Sequence, residues 1–184
     1  LEANGFKLDV VSGTSAGSVV GALYASGMDA YAMQEKAFAL DESRIRDVSL
    51  FSGGVVKGQK LQDYVNELVG GRTLEKMRKP FAVVATNLGN GERTVFVRGN
   101  TGQAVRASSS IPGVFEAVAI GKAHYVDGGV VSPVPVDAAR ELGRIDDAER
   151  DVDGGRHLVF VLDLGLGERG TAVEAPVDRL GALI

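Results

Sequence analysis

The run that most constrains the fold of this chain is Gly13-Thr14-Ser15-Ala16-Gly17. Before it, residues 6–11 alternate and then end in Val10-Val11, which predicts a buried strand. After it, Val19, Val20, Leu23 and Tyr24 recur at helical spacing until Gly27 supplies a stop. A strand that becomes a helix within five residues must turn its backbone sharply, and the small residues Gly13, Ala16 and Gly17 allow that. A serine at the centre of such a turn stands exposed at the carboxyl end of its strand. It faces the unpaired N–H groups and the positive end of the following helix. The pattern is that of a G-x-S-x-G nucleophile elbow, with Ser15 as the nucleophile and Gly13, Ala16 and Gly17 as elbow and oxyanion residues. Glycine is 25 of 184 residues, near twice the usual ~7%, so the pattern alone can arise by chance. The strand before it and the helix after it carry the reading.

The rest of the chain alternates in the same way. Asp29 is the expected N-cap of a helix reaching about Leu40, with Ala32, Met33, Ala37 and Leu40 on one face. Residues 41–58 read as a polar loop. Leu61, Tyr64, Val65, Leu68 and Val69 give an amphipathic helix closed by Gly70-Gly71. Residues 81–86 form a short apolar run, expected as a strand buried on both faces, and Asn90-Gly91 turns it into a return strand over 94–97. Residues 104–108 read as helical, 118–120 and 123–126 as short strands around Gly121, 136–142 as a helix and 157–163 as a buried strand. The charged stretch 146–156 reads as a surface loop, and the chain beyond Leu164 as a peripheral tail. Tyr24 and Phe38 are expected in the core. Phe51, Val55 and Val56 are expected to pack or anchor their loop rather than form a lid. The pattern predicts one domain over residues 1–184, an α/β sandwich whose sheet is largely parallel in its centre.

Composition removes several function classes. The net charge is −4 and there is no long Lys/Arg run, which argues against a nucleic-acid grip. Arg44, Arg46 and Lys57 are too scattered for a membrane-binding patch. The absence of cysteine excludes a disulfide scaffold, a thiolate zinc site and a cysteine nucleophile. With two histidines, His124 and His157, a multi-histidine metal centre is not expected. No apolar run approaches the ~18–20 residues of a membrane-spanning helix.

A serine nucleophile needs a base. Asp127-Gly128-Gly129 is the most suggestive candidate, at a strand end with glycines that let the backbone turn beside another loop. A second copy, Asp153-Gly154-Gly155, lies in the charged stretch, where a solvated turn explains it fully. Only Asp127 has apolar strand residues before it and Val-Val-Ser-Pro-Val-Pro after it.

Residues 8–27, the segment Arg106-Ala-Ser-Ser-Ser-Ile-Pro-Gly-Val-Phe115 and the segment Tyr125-Val-Asp-Gly-Gly-Val-Val-Ser-Pro-Val-Pro135 occur in the order of the patatin-like phospholipases. The chain resembles the bacterial type of that family over about residues 1–142 and at the strand 157–163. The resemblance implies a three-layer α/β/α sandwich with a mostly parallel central sheet. It implies a lipid acyl hydrolase with a Ser–Asp dyad that needs no histidine, metal or cofactor, in which Ser15 is the nucleophile and Asp127 the general base. The substrate would be a phospholipid or another acyl-ester lipid, with peripheral membrane contact, in a cytoplasmic or membrane-associated bacterial protein. Ser109, Ser110, Pro112 and Gly128 are expected to line the site. Two departures stand out. The family opens with a strand and a glycine-rich oxyanion loop, whereas this chain opens at what resembles the last turn of the next helix, Leu1 to Gly5; both are expected in a longer parent chain. Ser132 stands where the family commonly has Asn, which is expected to loosen the loop holding Asp127.

Two other readings stay open at the level of sequence. Ser15, Asp127 and His157 follow the chain order of an α/β-hydrolase triad. However, His157 begins its strand whereas Ser15 follows the end of its own, so parallel strands would set them about 20 Å apart at ~3.3 Å per residue. A catalytically incomplete, lipid-binding fragment is the third reading.

Overall fold

Strand β2 (Phe81–Asn87) is the ruler against which the sheet is laid out. The computed structural model describes residues 8–38, 56–150, 158–162 and 173–174. On one edge of β2, strand β1 (Val10–Thr14) pairs in parallel from Val11 opposite Phe81 to Thr14 opposite Val84. On the other edge, β3 (Arg93–Phe96) returns antiparallel, from Phe96 opposite Val83 to Arg93 opposite Thr86. Strand β5 (Ala123–Asp127) also pairs antiparallel with β2, through Ala85, Thr86 and Asn87. Because β3 occupies one edge at Ala85 and Thr86, β5 must use the edge that β1 uses lower down. Strands β1 and β5 therefore run toward each other along one edge of β2. β1 stops at the level of Val84 and β5 stops at Ala85.

The remaining strands extend the sheet. Strand β4 (Val118–Ile120) pairs antiparallel with β5, and β6 (Leu158–Leu162) pairs in parallel with β1. β7 (Val173–Glu174) adds a short antiparallel edge within the expected tail. Among the described residues the path is β4-β5-β2-β1-β6-β7, with β3 on β2. The centre, β2-β1-β6, is parallel as expected, and both flanks are antiparallel.

Helices cover both faces because successive side chains of β1 point in opposite directions. Val11 joins the larger core with Leu23, Val65, Val69, Phe81, Val83 and Val105, beneath helices α1 (Ala16–Ala25), α3 (Gln59–Leu68) and α4 (Thr101–Ser108). Val10 packs on the opposite face against Ala139 of α5 (Val136–Arg150), with Val136 and Leu142 alongside. A third cluster, Ala85, Ala107 and Val118, lies under the β4–β5 hairpin, where Phe96 and Tyr125 meet edge to face at 5.0 Å. Val56 is buried and bridges to Phe115, as packing rather than a lid requires; Phe51 and Val55 lie outside the described residues.

Two expectations are corrected. Helix α5 continues to Arg150, so the charged stretch from Asp146 is helical at its start rather than a loop. Those charges belong to the end of an amphipathic helix whose apolar positions come early, and a polar last turn looks like a loop in sequence. Phe38 is 82% exposed rather than in the core. It ends helix α2 (Ala30–Phe38), none of whose residues is buried, although Met33 leans on the main core and Asp29 caps the helix through Ala32 N–H at 2.8 Å. Tyr24 does pack against the main core, and Lys79 Nζ lies 5.4 Å from its ring centroid.

Candidate active site

The end of β1 and the start of α1 are joined by a single residue, Ser15. Its backbone lies at φ 52°, ψ −128°, and among the described residues it is the one non-glycine residue with positive φ. A residue with a Cβ adopts this region only when its surroundings impose it, at a cost on the order of 1–3 kcal/mol. The surroundings are small and tight. A Cβ at Gly13 would stand 2.5 Å from the carbonyl oxygen of Gly17 and 2.7 Å from Ser18 Cα, so only glycine lets the helix sit this close to the strand end. The Ser15 carbonyl accepts from Ser18 N–H at 2.9 Å and from Ser18 Oγ at 2.6 Å. Ala16, at the N-terminus of α1, is exposed, and the first N–H groups of a helix have no intrahelical partner.

Asp127, the last residue of β5, meets this turn at the seam on β2. Ser15 Oγ donates to Asp127 Oδ2 at 2.7 Å, across 112 residues of sequence. The other carboxyl oxygen, Oδ1, accepts from Gly129 N–H at 2.7 Å as the chain enters a 3-10 turn over Gly128–Val130. The Asp127 main chain is fixed twice more: its N–H donates to Ser110 C=O at 2.9 Å and its C=O accepts from Thr86 Oγ1 at 2.8 Å. Asp127 is 6% exposed, so its carboxyl group opens toward Ser15 from a largely buried position. Gly128 presses on the seam itself, where a Cβ would collide with the carbonyl oxygen of Val84 and stand 2.9 Å from Thr14 Cγ2.

Ser132 is tied into this loop. Its contribution is main-chain: its C=O accepts from Thr14 Oγ1 at 2.9 Å and its N–H donates to Gly128 C=O at 2.8 Å, neither of which depends on the side chain. Ser12 Oγ holds the far end of the loop through Pro135 C=O at 2.9 Å.

The expected lining residues divide. Ser110 is fully buried and donates its hydroxyl to Arg106 C=O at 2.8 Å, so it backs the wall of the site rather than lining it. The Ser109 hydroxyl oxygen is buried, with no protein partner. Gly128 is buried, and Pro112 is exposed. Sequence reasoning passed over Thr86 and Thr14 as fixing residues. The signal for Thr86 was a hydroxyl-bearing residue closing a strand buried on both faces, a place where a polar side chain must find a partner.

The one histidine among the described residues stays away from the pair. His124 is exposed on β5, three residues before Asp127, or about 10 Å along the strand. His157 lies outside the described residues, but β6 runs parallel to β1 with Val159 beside Val10, so β6 begins at the end of the sheet remote from Ser15.

A family model described as patatin-like phospholipase matches residues 1–140, which include both turns. An uncharacterized NTE family protein of Mycobacterium tuberculosis is 33% identical over 138 residues, covering 74% of this chain and 38% of that protein. A patatin-like phospholipase domain-containing protein of Caenorhabditis elegans is 26% identical over 151 residues, 78% of this chain and 11% of its own. A lysophospholipase of Aspergillus niger is 29% identical over 171 residues, 90% of this chain and 10% of its own. The chain thus spans well under half the length of these relatives. With the serine turn and the aspartate turn both inside the matched region, in a sandwich whose parallel centre ends at the elbow, the chain belongs to the patatin-like phospholipase family.

Proposed function

We propose that the protein hydrolyses acyl esters of phospholipids or lysophospholipids through a Ser15–Asp127 dyad. The observation that carries this reading is the 2.7 Å hydrogen bond from the Ser15 hydroxyl to Asp127 Oδ2, made at a strand-to-helix turn. Ser15 Oγ attacks the ester carbonyl carbon while its proton passes to Asp127 Oδ2. The oxyanion of the tetrahedral intermediate forms beside Ala16 N–H and the positive end of α1. Collapse expels the alcohol, which takes the proton from Asp127, and leaves an acyl ester on Ser15. Water then gives a proton to Asp127 and attacks the acyl carbon; release of the fatty acid returns the proton to Ser15.

A lipid substrate is supported by the two loops that leave the seam. Residues 109–115 and 128–135 carry no charged side chain, and Ile111, Val114, Val130, Val131 and Val134 expose their apolar surface there. Acyl chains, or the surface of a membrane that supplies them, fit such a rim better than a polar substrate does. Dyad chemistry is favoured over a triad by the remoteness of His124 and of the start of β6.

The test is labelling by a fluorophosphonate probe together with release of fatty acid from a lysophospholipid. Ser15→Ala is expected to abolish both with the fold intact by circular dichroism, and Asp127→Asn to come close to that, because an amide cannot take the serine proton. Undiminished labelling of Ser15→Ala would refute the assignment of the nucleophile. A folded chain with intact Ser15 that neither labels nor hydrolyses would instead favour a lipid-binding fragment.

A further inference from the structure

Ser15 N–H has no regular place to go. The β1 ladder ends one residue earlier at Thr14, and α1 begins one residue later at Ala16. This donor sits at the most strained residue of the site, where an unpaired N–H would let the turn relax toward an ordinary conformation. It is taken up by Ser108, the last residue of α4, whose Oγ accepts from Ser15 N–H at 2.8 Å. The same hydroxyl donates to Val84 C=O at 2.5 Å, and Ser108 has no exposed surface. Val84 is the β2 residue opposite the end of β1, next to the residue opposite the end of β5. Two residues beyond Ser108, Ser110 C=O holds the N–H of Asp127. One turn of chain at the end of α4 thus reaches both members of the pair.

We infer that Ser108 is a positioning residue for the nucleophile. Resting on the dyad reading, its hydroxyl fixes the backbone of Ser15 against β2, so that Oγ stands at Asp127 Oδ2 and the first N–H of α1 faces outward. The role needs a side chain that accepts from an N–H and donates to a carbonyl at once, in a space closed to solvent. A hydroxyl does both; a methyl does neither. Ser108 touches no substrate, so its loss acts on the rate of acylation and not on binding.

The experiment compares Ser108→Ala, Ser108→Thr and Ser26→Ala with the parent protein, well below their melting temperatures. Ser26 is the control: its buried hydroxyl donates to Leu23 C=O at 2.7 Å at the other end of α1, remote from the pair. For Ser108→Ala, kcat and the maximal rate of fluorophosphonate inactivation are expected to fall roughly 10–100-fold, as for a nucleophile displaced by a fraction of an ångström to 1 Å. KM and the inactivator's half-saturation should stay within about twofold, since binding groups are untouched. Ser108→Thr, which keeps the hydroxyl, should recover most of the rate, and Ser26→Ala should lose melting temperature without losing rate. Should Ser108→Ala fail to fold, Ser108→Cys, moderately larger and a weaker acceptor, is expected to show the same slow acylation. A folded Ser108 variant lacking the hydroxyl with parental kcat, or an equal fall in Ser26→Ala, overturns the assignment. Failure of the dyad reading would look different: Ser15→Ala or Asp127→Asn would then keep its activity.

Discussion

The two turns that meet at the seam are held in different proportions from within and from without. The serine turn is shaped mostly by its own backbone, with a positive φ at Ser15, no room for a side chain at Gly13 and a carbonyl taken up by both donors of Ser18, and Ser108 of α4 takes its N–H from outside. The aspartate turn has an ordinary backbone, with φ −47° at Asp127, and is held from outside by Thr86, Ser110 and Thr14. A nucleophile must project from a fixed point, and strain at a strand–helix junction gives that directly. On the dyad reading a base must be oriented at its carboxyl group, and main-chain hydrogen bonds from neighbouring elements, with Gly129 N–H on Oδ1, do that without distorting the chain.

The largest effects should come where a glycine lets backbone meet backbone in either turn. Gly128→Ala drives a methyl into Val84 C=O and toward Thr14, so the aspartate loop must lift off β2. The expected outcome is a loss of more than about 100-fold in ester hydrolysis, with destabilisation of about 2–4 kcal/mol in urea melts. Gly13→Ala pushes α1 away from β1 and should lose activity to a similar extent. Survival of either variant at near-parental activity would break the idea that the seam is sterically closed.

Hydroxyl deletions sharpen the contrast. Thr86→Val removes the donor that holds Asp127 C=O in a buried place, with an expected cost of about 1–2 kcal/mol and a several-fold fall in kcat. Ser18→Ala removes a hydroxyl whose carbonyl keeps a second donor, Ser18 N–H, and should cost about 1 kcal/mol or less with little change in rate. The reverse order of damage, read from denaturant melts and steady-state rates, would mean that the aspartate turn does not depend on its outside contacts more than the serine turn depends on its internal ones. Smallest of all, His124→Ala is expected to leave kcat within about twofold, since the side chain is exposed and a strand segment away from Asp127.

Local pattern made much of this legible. The elbow could be read from Val10-Val11 before it, the helical repeat after it and the small residues between, because each is a short-range constraint. Asp127 could be told from Asp153 by the apolar strand that precedes it. The pairing of Ser15 with Asp127 was not legible from spacing, because it depends on β1 and β5 sharing one edge of β2, a fact of topology. Ser108, at the end of the stretch expected as helical, carried no mark of its burial, because burial is decided by what packs around a residue and not by its own polarity. The helical turn beyond Asp146 and the exposure of Phe38 were misread for the same reason, charge being taken for loop and an aromatic ring for core.

The head-on approach of β1 and β5 has a consequence for how Ser15 and Asp127 come together. No hairpin brings either partner near the other; each must find β2 and the end of α4, across loops of tens of residues whose closure is entropically costly. Most helical signal and much tertiary packing can be in place before that happens. Recovery of catalysis after dilution from denaturant should therefore lag recovery of ellipticity. On the dyad reading, catalytic competence is expected to report the completion of the sheet, and a preparation with full ellipticity would still be waiting for its last strand to arrive.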